Sequence, residues 1–147
     1  MEQQAISVVD ISPDGLKVVC GTFFGSIGIL DKSNQQYKTL LRSHTEEIMA
    51  VDYHKSKDYI ISISKDKTIR LWSIHTFDEV YEFTANDQPL SVSAHPTLPI
   101  FACGFGSGNM RIFDIDSTDV IDEFALFDLP LESLRYDNTG SLLVACC

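Results

Sequence analysis

A period of 41–42 residues constrains this chain more than any other feature. Val9-Asp-Ile-Ser-Pro-Asp-Gly15 is followed by Val51-Asp-Tyr-His-Lys-Ser-Lys57, Val92-Ser-Ala-His-Pro-Thr-Leu98 and Leu134-Arg-Tyr-Asp-Asn-Thr-Gly140, at offsets of 42, 41 and 42. Ile27-Gly-Ile-Leu-Asp31, Ile69-Arg-Leu-Trp-Ser73 and Met110-Arg-Ile-Phe-Asp114 keep the same spacing, and so do the small residues Cys20, Ser62, Cys103 and Ala145. Three landmarks in phase define an internal repeat, and a period of this size points to stacked supersecondary units.

Each unit reads as short strands. In the second, Ile48–His54, Tyr59–Ser64, Ile69–Ile74 and Asp78–Thr84 are rich in Ile, Val, Tyr and Phe and are separated by polar turns. Strands are expected near 6–11, 18–21, 26–31 and 36–41 in the first unit, and near 90–94, 100–104, 110–115 and 120–126 in the third. Two more are expected near 131–136 and 142–146. Four strands per period is the pattern of a β-propeller blade. Ser43-His-Thr-Glu46 also fits a helix capping box, but the aligned segments at 5–12 and 89–95 carry strand patterns, so repeat consistency favours strands. The expected fold is all-β, a β-propeller fragment of about three and a half four-stranded blades: residues 1–43, 44–84 and 85–126, then a half blade at 127–147.

The units resemble the WD-repeat family over the whole chain. The second carries the pattern best, with Ser43-His44 where the family favours Gly-His and Leu71-Trp72-Ser73 where it favours Trp-Asp. Asp66 stands in the turn where the family places its structural aspartate. The resemblance implies a buried quartet of Asp66, His44, Ser62 or Ser64, and Trp72. Such a set copies the residue types of a hydrolase, yet the physics suits packing. A turn aspartate holds turn amides and a histidine, while serine and indole satisfy one another within an apolar blade. The first and third units carry Phe24 and Ser107 in place of Asp66, and Leu30 and Phe113 in place of Trp72. No Gly-x-Ser-x-Gly elbow occurs, so no catalytic residue is assigned and the chain is not expected to be an enzyme.

Charge narrows the partners. The chain carries 21 acids against 11 bases, a net −10, and a surface built for phosphates needs clustered Lys and Arg. Nucleic acid is therefore not an expected partner. Residues 85–126 alone hold six acids and one base, densest in the run 114–123 that includes Asp116 and Asp119. No apolar run approaches the roughly 18 residues of a membrane helix, and no basic-then-apolar leader opens the chain; no membrane association is expected. The four cysteines, at 20, 103, 146 and 147, lack metal-ligand or disulfide spacing, which suits a reducing cytoplasm. No metal or cofactor is expected.

Protein partners are the remaining class. Phe23 and Phe24 in a strand connection, and the acidic residues Asp116 and Asp119, are candidate contacts, as is a basic spot made of Lys55, Lys57, Lys65 and Lys67. The runs His44–Val51, His95-Pro-Thr-Leu-Pro99 and Phe101-Ala-Cys-Gly-Phe-Gly-Ser-Gly108 also resemble the large WD-repeat proteins of centrioles and cilia. That resemblance implies a place at the centriole, basal body or axoneme, with tubulin or centriolar and axonemal proteins as partners. Propellers close with four to eight blades, so an arc of three and a half is expected to leave two apolar blade faces wet. The chain is therefore expected to be part of a longer protein, or to need further blades or another chain to close.

Overall fold

The computed structural model describes residues 5–40 and 43–147. Fourteen strands form three four-stranded antiparallel sheets and one two-stranded sheet, each a meander of consecutive strands. The first sheet holds β1 (Ile6–Ile11), β2 (Lys17–Thr22), β3 (Ile27–Asp31) and β4 (Gln36–Leu40). The second holds β5 (Ile48–His54), β6 (Tyr59–Ser64), β7 (Thr68–Ser73) and β8 (Glu79–Thr84). The third holds β9 (Pro89–Ala94), β10 (Ile100–Phe105), β11 (Asn109–Asp114) and β12 (Val120–Ala125). β13 (Ser133–Tyr136) and β14 (Leu143–Cys146) form the last. No described residue is helical, and the 44–57 segment joins the second sheet as β5. The first strands of successive sheets, β1, β5, β9 and β13, pack side by side. This is an arc of propeller blades, and its sheets do not close into a ring.

Strand ends differ from the sequence expectation by one or two residues. β7 starts at Thr68 rather than Ile69 because Thr68 pairs with Thr84. Residue 41, expected in the fourth strand, lies outside the described residues.

The core is three seams between blades rather than one centre. Val19, Ile27 and Ile29 of the first blade meet Ile48, Ile60, Trp72 and Ile74 of the second. Ile61, Ile63, Ile69, Leu71 and Phe83 meet Phe101, Cys103, Phe105 and Phe113 of the third. Ala102 and Met110 meet Leu131 and Leu134. This follows from strand periodicity: alternate residues of β6 point to opposite faces, so Ile60 enters the first seam and Ile61 and Ile63 enter the second. The face of the first blade turned away from the second carries Val9, Ile11, Leu30 and Tyr37, cross-strand neighbours through Cys20 and Val18. Val9 is 56 % exposed and Ile11 57 %.

Candidate functional site

The triad-like residues converge at one end of the second blade. Asp66 sits in the β6–β7 turn, where its carboxylate accepts the Thr68 amide at 2.9 Å, the Thr68 hydroxyl at 2.7 Å and the Thr45 amide at 3.0 Å. The His44 ring lies against it, Nδ1 to Oδ2 at 3.1 Å. With a carboxylate facing Nδ1, that nitrogen carries the proton, and bare Nε2 accepts the Ser62 hydroxyl at 2.7 Å. The Ser62 oxygen in turn accepts Trp72 Nε1–H at 2.9 Å. A directional chain runs Trp72, Ser62, His44, Asp66. Ser64 stands outside it: its hydroxyl donates to Glu46 O and accepts the Asp66 amide, both at 3.2 Å. The β6–β7 register separates them: Ser62 and Ser64 share a face, but Ser62 pairs with Arg70, two positions along β7 from Trp72, whereas Ser64 lies beyond the last β6–β7 pair, Ile63 with Ile69.

The chain of bonds is shut away from solvent. Ser62 is 0 % exposed and His44 3 %. Burial drives the His44 pKa down to about 4, outweighing the Asp66 carboxylate that pulls the other way, so the ring is neutral near pH 7. Burial raises the Asp66 carboxyl, but hydrogen bonds from Thr68 and Thr45 outweigh it and hold it below the usual range. Arg70 anchors the same loop by donating to Ser43 O and pairs outward with Glu79 at 3.1 Å and Glu82 at 2.6 Å. A histidine with its proton held by a buried aspartate and a serine already bonded twice has no open position for a substrate.

In the third blade every member of the set changes together. Ala85, Cys103, Ser107 and Phe113 replace His44, Ser62, Asp66 and Trp72. Phe113 stacks on Phe101 with ring centroids 4.9 Å apart and 7° between planes. Ala85, Cys103 and Phe113 at the buried positions leave no orphaned nitrogen or oxygen donor, which is near neutral in free energy, unlike removing one partner, and Ser107 is exposed. The turn carboxylate is resupplied from another position: Asp87 accepts the Ser107 amide at 2.9 Å.

Sequence reasoning did not assign three sets of bonds that hold blade to blade. The amides of His44 and Ala85 donate to the carbonyls of Gly25 and Lys67, at 2.8 and 2.9 Å, and Phe127 N to Gly108 O at 3.3 Å. These carbonyls belong to the left-handed residue of each β2–β3-type turn, with φ of 78°, 66° and 84°. His54 Nε2 reaches Leu98 O at 2.8 Å and His95 Nε2 reaches Gly140 O at 3.1 Å. Asp52 accepts Ala94 N at 2.7 Å and Ser93 accepts Tyr136 N at 3.0 Å. Each bond recurs one repeat later, and His54 and His95 stand in phase in the first landmark. That phase was the available signal.

The basic spot expected from Lys55, Lys57, Lys65 and Lys67 does not form. Lys55 and Lys57 lie in the β5–β6 loop, whereas Lys65 and Lys67 lie in the β6–β7 turn, at the opposite end of β6. Antiparallel connection puts consecutive turns at opposite ends, roughly 20 Å apart for a strand of six residues. Lys57 pairs with Asp116 at 2.7 Å across the second seam, and Lys65 pairs with Glu47 at 2.5 Å. Asp119 is exposed, and its carbonyl accepts the Asp114 amide at 2.9 Å. Phe23 and Phe24 project from the β2–β3 turn, 48 % and 65 % exposed.

Comparison with known proteins agrees with this architecture. The family model "WD domain, G-beta repeat" matches residues 34–73. The chain is 38 % identical to WD repeat-containing protein 90 of Xenopus tropicalis and 36 % identical to that of Homo sapiens, over 97 % of this chain and 8 % of each relative. Echinoderm microtubule-associated protein-like 2 of Rattus norvegicus is 29 % identical over 69 % of this chain and 15 % of its own length. The chain thus spans under a tenth of the WD repeat-containing protein 90 relatives it matches. Blade topology, the Asp–His–Ser–Trp clasp and these likenesses agree: the chain belongs to the WD-repeat family.

Proposed function

We propose that this chain is a non-catalytic protein-interaction scaffold within a larger microtubule-associated protein of the centriole, basal body or axoneme. The observation behind the scaffold reading is the closure of the clasp: Ser62 is wholly buried and its hydroxyl is bonded to both His44 and Trp72. With the hydrolase-like residues committed to packing, function falls to exposed turns and edges. The microtubule reading is supported by the likeness to WD repeat-containing protein 90 and by a relative named as a microtubule-associated protein.

Charge suggests how that role would be exercised. At net −10, with Lys57 and Lys65 paired internally, the chain offers little to an acidic lattice. Contact therefore runs through protein partners, with the exposed Phe23-Phe24 turn as the leading surface. Proximity labelling from this chain in ciliated cells is expected to recover centriolar or axonemal proteins, and Phe23→Ala with Phe24→Ala to reduce that recovery. The purified chain is expected not to pellet with microtubules. Diffuse labelling without cytoskeletal proteins would replace this reading with a general cytoplasmic WD-repeat adaptor.

A further inference from the structure

The outer rims of the first two seams differ. At the first, Lys38 of β4 reaches across, and its ammonium sits 3.9 Å from the centre of the Phe77 ring in the β7–β8 turn. Cation and ring attract, so the first two blades are clipped together at their outer edges. Lys38 pairs with Ile29 of β3, and the matching pair in the second blade is Leu71 with Tyr81. Tyr81 therefore stands where Lys38 stands. Thr118 stands where Phe77 does, each left-handed and each followed by the aspartate whose carbonyl starts the last strand pair. The second seam has neither the cation nor its acceptor ring.

A cavity of about 470 Å³ opens there instead. Ile69, Phe83 and Phe113 floor it, with Phe83 edge-on to Phe113 at 4.9 Å and to Tyr81 at 4.6 Å. Tyr81 is 38 % exposed. Residues of both parities on β8 border the cavity, Tyr81 and Phe83 with Glu82 and Thr84, so it runs along the strand's outer edge. Only β7 pairs with β8. Ala85 N is spent on Lys67 O, and amides alternate along a strand, so those of Glu82 and Thr84 point to the open edge. Such an edge templates another strand unless Lys, Pro or a bulge blunts it. β4 carries Lys38. From Tyr81 onward β8 carries none of these, its one bulge falling between Glu79 and Tyr81.

Charge selects the strand that fits. Neither β8 nor β12 holds a Lys or Arg. Asp78 and Glu79 stand at the start of β8 and Asp119 before β12, while Glu82 and Glu123 border the cavity. Against them stand Arg70, held by Glu79 and Glu82, and Arg111, held by Glu123 at 3.0 Å. The surplus is acidic, and the first seam supplies a lysine at the matching place.

We propose that β8 docks an extended segment of a protein partner as a fifth strand. An apolar or aromatic side chain of that segment enters the cavity over Tyr81 and Phe83, and Lys or Arg on either side meets Glu79, Glu82 and Glu123. Main-chain bonds to Glu82 and Thr84 supply affinity, and alternate side chains supply selectivity. The site is separate from the Phe23-Phe24 turn and does not depend on the microtubule reading. Both of its walls belong to complete four-stranded blades.

The test is fluorescence anisotropy of this chain with a labelled peptide, Gly-Lys-Val-Lys-Phe-Lys-Val-Lys-Gly, and with a counterpart carrying Glu for each Lys. The basic peptide is expected to bind at least about tenfold more tightly, by a margin that shrinks with added salt. Tyr81→Lys installs the side chain of the first blade, and Thr84→Pro removes an edge amide without touching the β7 ladder. Each is expected to weaken the basic peptide by about tenfold. Thermal melts check that the variants fold; Pro is tolerated where the amide faces outward. Where either fails to fold, Tyr81→Ser is read in its place, with the same expected loss. Failure of the basic peptide to bind, equal binding of the two peptides, or equal binding by the native chain and a folded variant would overturn the proposal. So would a chain that sediments as a dimer and is made monomeric by Thr84→Pro, since a second copy would then occupy the edge.

Discussion

Ser62→Ala should be the most informative substitution in the clasp. The hydroxyl accepts the Trp72 indole N–H at 2.9 Å and donates to His44 Nε2 at 2.7 Å, at a site with no exposure. Removing it orphans one buried donor and one buried acceptor, each costing about 1–3 kcal/mol, so the pair should cost about 3 kcal/mol. For a chain of 147 residues that is a loss of about 10 °C in melting temperature. Circular dichroism is the suitable probe, because the partner variant Trp72→Phe removes the chain's one tryptophan. In the double-mutant cycle, Trp72→Phe removes the indole donor that Ser62→Ala would strand. The combined loss should then fall short of the sum by about 1–2 kcal/mol. A Ser62→Ala chain within about 0.5 kcal/mol of the native one, or strict additivity in the cycle, would refute the hydrogen-bonded chain and leave the four residues as ordinary packing.

Acid should attack the same clasp. His44 is held near 4 in the fold against 6.5 unfolded, so its contribution is intact above about pH 6.5 and is lost as pH falls toward 4, about 3 kcal/mol in all. His44→Gln should flatten that slope in urea titrations at stepped pH. Asp66→Ala strands the Thr68 and Thr45 amides and should cost about 2–3 kcal/mol. Ser107→Ala, exposed in the equivalent turn, should cost under about 0.5 kcal/mol; equal melting temperatures would sink the comparison. Gly140→Ala should destabilise well beyond Gly15→Ala in thermal melts. Both have φ near +70 to +80°, but a Cβ at 140 would strike the His95 ring while a Cβ at 15 meets open space. Gly15→Ala should therefore show only the left-handed backbone cost of about 1–2 kcal/mol.

Blade architecture was legible because repetition is a sequence property. Val9, Val51, Val92 and Leu134 stand in phase whether or not the chain is folded, and a four-strand period admits few arrangements. The clasp was legible where the second blade keeps every member. Choosing Ser62 over Ser64 required the β6–β7 register, which sequence spacing left open. The lysines show the opposite case. Lys55, Lys57, Lys65 and Lys67 fall within thirteen residues, yet antiparallel turns carry them to opposite ends of the blade.

The sequence by itself determined the strand count, the meander within each blade and the excess of negative charge, since periodicity and composition are local. Tertiary structure decided which blade meets which neighbour and how. His54 and His95 act on carbonyls 44 and 45 residues away, Asp87 replaces a missing turn aspartate from the adjoining loop, and Asp52 accepts Ala94 N across a seam. Those contacts depend on the angle and spacing between sheets, which arise only when apolar faces pack, and no pattern within one repeat encodes them.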